Sequence, residues 1–336
     1  MSNNTISIDS QLTDLANAVN KIESGEFLII AADETVLQQL PSGNWIGGSI
    51  PYFMSEQGGL CNKEQLFIQT INGVEGNAQP RITPYDAGSI SRIAQDAPDN
   101  GFTVCILPAG SDVHTEYAQN APGYDNMFFN PIVGWISGVD LAEVEEKSAK
   151  TVFGPGAMIM GDKAVAMHVS LPENQMANIN IINLFEQGSG DKISFPQTSA
   201  NVDSCLVNGT EMPFSDYVAQ NNIDTRLPLV ADYNGINVNV SIQDASKQQV
   251  ALYAPVFEGV EYQFATPVAD YVTAFNQAIE TMDTNKSAFS CNCILNYLYS
   301  ELEGKKTANL TGPITFGEIA YQLLNQTLVY MTLENQ

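Results

Sequence analysis

Cys291-Asn292-Cys293 is the one place where two thiols stand close together in this chain. Thiolates bind metals and act as nucleophiles, and on a strand residues i and i+2 share a face. A tetrahedral metal site needs four donors, and no second Cys or His pair lies nearby in sequence. A nucleophilic cysteine needs a positioned base. There are two histidines. His168 lies in the apolar run Lys163-Ala-Val-Ala-Met-His-Val169 and reads as a core or edge residue. His114 follows Ser111-Asp112-Val113 in a stretch that reads as a loop, and is the one candidate base. The alternative is that both cysteines are structural. No His-Glu-x-x-His, Gly-x-Ser-x-Gly, P-loop or Gly-x-Gly-x-x-Gly pattern is present.

Carboxylate and amide chemistry gathers near the end of the chain. Gly317-Glu318-Ile319 puts an acid after a flexible residue, and Asn325-Gln326-Thr327 leads into the apolar run Leu328 to Leu333. Glu318, Asn325 and Thr327 either contribute to a pocket wall or cap backbone groups inside the fold. A second candidate wall is Asn44 with Trp45, just before Gly47-Gly48-Ser49. Paired glycines in a strand mark a bulge or a close backbone approach, by another segment or by a ligand. Trp45 also suits a core. Arg81 is one of three arginines. It is placed either to hold a ligand carboxylate bidentately or to pair with a surplus acid.

The elements that must position these residues follow from periodicity and turn chemistry. Leu12, Leu15, Ala16, Val19 and Ile22 recur at helical spacing, with Ser10 as N-cap and Gly25 as stop. Phe27–Ala31, Leu66–Ile71, Phe102–Leu107 and Pro131–Ile136 read as buried strands. Gly43–Phe53 reads as a strand broken by its two glycines, and Thr83 as the cap of a helix through Ala94. Val207-Asn-Gly-Thr210 and Tyr233-Asn-Gly-Ile236 carry the strongest hairpin signal, and Phe257-Glu-Gly-Val260 a weaker one. Thr266-Pro267 opens a helix expected to reach Met282. Ser290–Leu302 reads as strand then helix. The fold class expected is α/β, in a mixed α+β form. Two halves, 1–172 and 173–336, are each a largely antiparallel or mixed sheet with packed helices.

Composition excludes several classes. The chain has 336 residues, 38 acids against 13 bases, and a net charge of -25, so a surface that tracks phosphates is not expected. Anionic membranes are repelled by the same field. Five cysteines give an odd count and no disulfide framework, which fits a reducing compartment. Met1 to Ser10 lacks the basic and apolar regions of a signal peptide, and no long apolar run spans a bilayer. The expected location is the cytoplasm.

Three segments resemble FIST domains. Thr315-Phe-Gly-Glu-Ile-Ala320 followed by Leu324-Asn-Gln-Thr-Leu328 is similar to the closing signature of the FIST C-terminal part. Val207-Asn-Gly-Thr-Glu-Met-Pro-Phe214 with Tyr217 resembles its opening hairpin and helix, and Phe289-Ser-Cys-Asn-Cys293 its Phe-Ser-Cys segment. Trp45-Ile-Gly-Gly-Ser49 is similar to the glycine-rich strand of the N-terminal part. The resemblance implies a bacterial sensory domain that binds a small molecule, such as an amino acid. It would be stand-alone within these residues and would signal through a separate output protein. It implies no metal, no cofactor and no catalytic residue. The candidate ligand-binding set is Asn44, Trp45, Gly47, Gly48, Ser49, Arg81, Cys291, Asn292, Glu318, Asn325 and Thr327. The alternatives are a thiol- or carboxylate-dependent hydrolase or transferase, and an interaction module without ligand.

Overall fold

Short apolar runs bounded by glycine and proline outnumber helical patterns in this chain, and strands dominate accordingly. The computed structural model describes residues 5–74, 79–233, 236–279 and 287–335. It is a mixed α+β protein of several sheets with short helices on their faces. Phe27–Ala32 has all six side chains buried and lies between an antiparallel neighbour, Leu66–Asn72, and a parallel one, Trp45–Ser49. Burial on both faces is why its sequence is uniformly apolar rather than alternating.

A second sheet runs in the order Gln322–Leu324, Glu318–Ala320, Ile132–Ser137, Gly101–Pro108, Ala164–Ser170, Arg81–Tyr85. Its two central strands, Gly101–Pro108 and Ile132–Ser137, are parallel, and the helix Asp112–Asn120 connects them. A third sheet joins Gln175–Ile182, Leu328–Asn335, Ser287–Cys293, Gly312–Thr315, Tyr52–Ser55 and Gly58–Cys61. Strands from beyond residue 300 are therefore inserted among strands from the first 140. Glu318–Ala320 pairs with Ile132–Ser137, and Gly312–Thr315 pairs with Tyr52–Ser55.

Gly48 lets the first two sheets meet, and Gly134 lets two neighbouring strands of the second sheet approach. A Cβ on Gly48 would stand 2.6 Å from Ile106 Cγ2 and 3.0 Å from Trp135 Nε1, so the second sheet packs directly onto bare backbone there. Gly134 has φ +154°, and a Cβ on it would stand 1.7 Å from the Cys105 carbonyl. Trp135 is buried in the seam, its ring 6.1 Å from that of Phe289 and 23° from parallel. Burial of such a side chain contributes about 1.5–3 kcal/mol.

Several sequence expectations are corrected. Ser7–Thr13 is a strand paired with Leu66–Asn72, and the helix begins at Leu15. Asp14, not Ser10, caps it by accepting from Asn17 N at 2.8 Å. Thr83 starts no helix. It lies in the strand Arg81–Tyr85, antiparallel to Ala164–Ser170 at the sheet edge, where the missing N–H of Pro84 is tolerated. Only a 3₁₀ turn, Ile90–Arg92, follows. Trp45–Ser49 runs unbroken through Gly47 and Gly48, and the break falls at Ile50–Pro51. The later helix is Tyr271–Ile279, with Asp270 accepting from Thr273 N at 3.1 Å. Its expected end at Met282 lies outside the described residues. The strands around Phe257–Val260 belong to different sheets, so that turn closes no hairpin. Val207-Asn-Gly-Thr210 does close one. Tyr233 pairs with Ile236, while the Asn-Gly between them lies outside the described residues.

Candidate functional site

The chain leaves the strand Gly101–Pro108 through Ala109 and Gly110 and enters a helix capped by Ser111, whose Oγ accepts from His114 N at 3.2 Å. It returns along Ile132–Ser137 and leaves through Gly138 and Val139. In open parallel sheets the crevice beyond the carboxyl ends of the strands is where ligands bind. A cavity of about 610 Å³ lies there. Ala109, Gly110, His114 and Ala118 form one wall, and Gly138, Val139 and Leu141 another. Leu252–Pro255, Ile294, Leu295, Leu298, Phe316 and Asn325 close the remaining sides. The volume falls within the range of small-ligand sites, roughly 300–1,000 Å³.

Three of the polar side chains in this largely apolar lining are His114, Asn325 and Lys147. His114 Nδ1 accepts from Gly110 N at 3.3 Å, which leaves the ring proton on Nε2. The ring is only part-buried, but Nε2 itself is buried and has no hydrogen-bond partner. Burial pulls the imidazole down to about 4, so it is neutral at pH 7. Asn325 is buried; its Oδ1 accepts from Ser241 N at 3.0 Å and Oγ at 2.6 Å, while Nδ2 is unpartnered. Lys147 meets Glu143 at 2.9 Å, and Glu143 also receives Lys63 at 3.1 Å. No Asp or Glu lines the cavity.

Next to Asn325 in sequence lies a sealed polar layer. Glu318 Oε2 accepts from Thr327 N at 3.3 Å and Oγ1 at 2.7 Å, and Oε1 has no partner. Burial holds the carboxyl well above the usual range, against hydrogen bonds from Thr327 and Cys293 that lower it. Burial thus favours the protonated form of Glu318. Asn296 Nδ2 donates to Asn292 Oδ1 at 3.0 Å and to Thr327 O at 3.1 Å. Asn292 Nδ2 and Asn296 Oδ1 are unpartnered. Cys291 Sγ donates to Gly134 O at 3.2 Å. Burial pushes the Cys291 and Cys293 thiols up. Both are inert thiols.

The sequence candidates therefore divide. Asn325 lies at the cavity wall, and Glu318, Thr327, Cys291 and Asn292 are sealed in the protein beside it. Asn44 Nδ2 donates to Gly25 O at 3.1 Å, closing a turn. Trp45 is core, with Nε1 donating to Pro41 O at 2.9 Å. Gly47 and Gly48 serve close packing. Ser49 Oγ donates to Gly138 O at 2.7 Å and accepts from Lys150 N at 2.8 Å. Arg81 is exposed on an edge strand and donates to Thr83 Oγ1 and Asp96 O. None of these six lines the cavity. His168 is core, between Tyr85 Oη and Thr103 Oγ1, both at 2.9 Å. His114 lies in a helix rather than a loop. The signal for its place was the strand Phe102–Leu107 followed by Gly110 and the Ser111 cap.

Residues 13–334 match the family model described as "Family of unknown function (DUF6976)", and the chain belongs to that family. No curated protein matches it. Among the described residues there is no group of three or more His, Cys, Asp or Glu placed to hold a metal ion. None of the described helices is long and apolar enough to cross a membrane.

Proposed function

We propose that this chain is a small-molecule-binding sensory protein whose ligand occupies the cavity at the carboxyl ends of Gly101–Pro108 and Ile132–Ser137. The observation that carries this reading is Asn325, a buried amide at the cavity wall whose Nδ2 has no partner. An unpaired buried donor costs about 1–3 kcal/mol, and a ligand acceptor recovers that cost. The reading includes a FIST-like character, units spanning 1–172 and 173–336, a cytoplasmic site of action and a separate output protein. A thiol-dependent hydrolase is the weaker reading, because Cys291 and Cys293 are sealed thiols outside the cavity lining.

Thermal-shift screening against small metabolites tests the proposal. A ligand at 100 times its Kd raises stability by about 2.7 kcal/mol. Leu298 lies on the cavity rim and is 43% exposed, so Leu298→Trp fills the mouth without disturbing the core. Binding lost in this variant supports the cavity. A screen that shifts nothing, or a ligand indifferent to Leu298→Trp, overturns it.

A further inference from the structure

Building on the cavity reading above, we propose that the ligand is a small monocarboxylate with an apolar body. Its carboxylate is taken by His114, Asn325 and Lys147, and no partner is provided for an ammonium group. Three observations converge on this class.

The first is charge. The chain carries 38 acids, yet among the described residues none lines the cavity, and Lys147 is the one Lys or Arg that does. A protein with so one-sided a balance repels anions in general, so an acid-free cavity with a lysine at its wall marks the exception. Lys147 pairs with Glu143 at 2.9 Å in a balanced cluster that also holds Lys63 and Asp140, so a ligand carboxylate takes Lys147 by exchanging with Glu143.

The second is hydrogen-bond polarity. Two of the lining residues carry a buried nitrogen without a partner, His114 Nε2 and Asn325 Nδ2, and both nitrogens are donors. For each side chain the acceptor is already engaged: His114 Nδ1 by Gly110 N, and Asn325 Oδ1 by Ser241. What the wall offers is N–H, and what completes it is an acceptor. His114 also lies in the first turn of a nine-residue helix, where backbone dipoles favour negative charge.

The third is what surrounds the donors. Val139, Leu252, Ile294, Leu295 and Phe316 supply an apolar surface for the rest of the ligand. The other polar lining residues, Gln119, Gln243, Thr115, Ser148 and Tyr253, are neutral. An α-amino acid would bring an ammonium into a site without a carboxylate, next to a lysine. It would forfeit hydration with no ion pair in return.

The test uses four matched sets on the full chain, by calorimetry and thermal shift: hexanoate and benzoate, their primary amides, hexylamine and benzylamine, and norleucine and phenylglycine. The carboxylates are expected to bind at least ten-fold more tightly than the amides, with no binding by the amines or amino acids at millimolar concentration. Lys147→Gln, a change at a half-exposed side chain, should weaken the carboxylates about ten-fold and leave amides unchanged. Asn325→Asp keeps the acceptor for Ser241 and should abolish carboxylate binding. Amines or amino acids that match or exceed the carboxylates overturn the class, as does a carboxylate affinity indifferent to Lys147→Gln. The class also falls, with the cavity intact, if all four sets fail while other compounds bind in a Leu298-dependent way. If no compound shifts the protein at all, the cavity reading itself falls.

Discussion

Replacing Glu318 by Gln should make this protein more stable, and increasingly so as the pH rises. The buried carboxyl is fully enclosed and held well above its ordinary value of 4.5 by desolvation. In the unfolded chain the same group ionises near that ordinary value. As the pH climbs past it, the unfolded state releases a proton that the folded state retains. The contribution of Glu318 is therefore full below about pH 4.5 and is lost as the pH rises toward the folded value. Each pH unit in that interval costs the folded protein about 1.4 kcal/mol. Glutamine does not ionise. Its Oε1 can accept from Thr327 N and Oγ1 as Glu318 Oε2 does now. Its Nε2 then occupies the place of the unpartnered Oε1, at a cost of about 1 kcal/mol. The net gain therefore grows with pH across that interval. Urea unfolding of both proteins at pH 5, 6, 7 and 8 measures it. A stability difference that stays flat across that range would mean that Glu318 is ionised in the folded state, and the reasoning fails.

The two histidines act in the opposite direction. Burial lowers both His114 and His168 to about 4, so their contribution is full above the unfolded value near 6.5 and is lost as the pH falls toward 4. Each is worth about 3 kcal/mol over that window. An NMR titration should find both rings neutral at pH 5.5, and protonation of either there refutes the burial argument. Thiol chemistry separates the sensory reading from the hydrolase. Cys61 is exposed while Cys105, Cys205, Cys291 and Cys293 are buried. A disulfide reagent at pH 8 should titrate one thiol in the native protein and five after denaturation. Rapid native labelling of Cys291 or Cys293 would restore the nucleophile.

What the sequence made legible was local. Phe27–Ala32 and Gly101–Pro108 announce themselves because strands buried on both faces need continuous apolar runs. Val207-Asn-Gly-Thr210 does so because the turn needs left-handed backbone, which Asn208 (φ +49°) and Gly209 (φ +85°) adopt. Arg81–Tyr85 was misread because its conformation is set by a partner 80 residues away, while the Thr83 cap signal is purely local. The candidate site was hidden for the same reason. Its lining comes from segments near residues 110, 140, 253, 295, 316 and 325, and no spacing rule links them. Asn325 was found because its polar cluster interrupts an apolar stretch. Trp45, Gly47 and Gly48 were candidates because paired glycines mark a close approach, but the approaching groups are the protein's own, Trp45 and Ile30 at Gly47 and Ile106 and Trp135 at Gly48.

The insertion of late strands among early ones also sets a timetable. Ile132–Ser137 and Tyr52–Ser55 each wait for a neighbour that is synthesised long after them, Glu318–Ala320 and Gly312–Thr315. At ribosomal speed, some 5–20 residues per second, the first of these edges stays open for roughly 10 to 40 seconds. An unpaired strand edge is a template for another chain. The nascent polypeptide is therefore open to edge-to-edge association until Gly312–Thr315 and Glu318–Ala320 emerge. Premature termination before residue 312 leaves both edges open permanently, and such fragments should be recovered as aggregates rather than as smaller folded proteins.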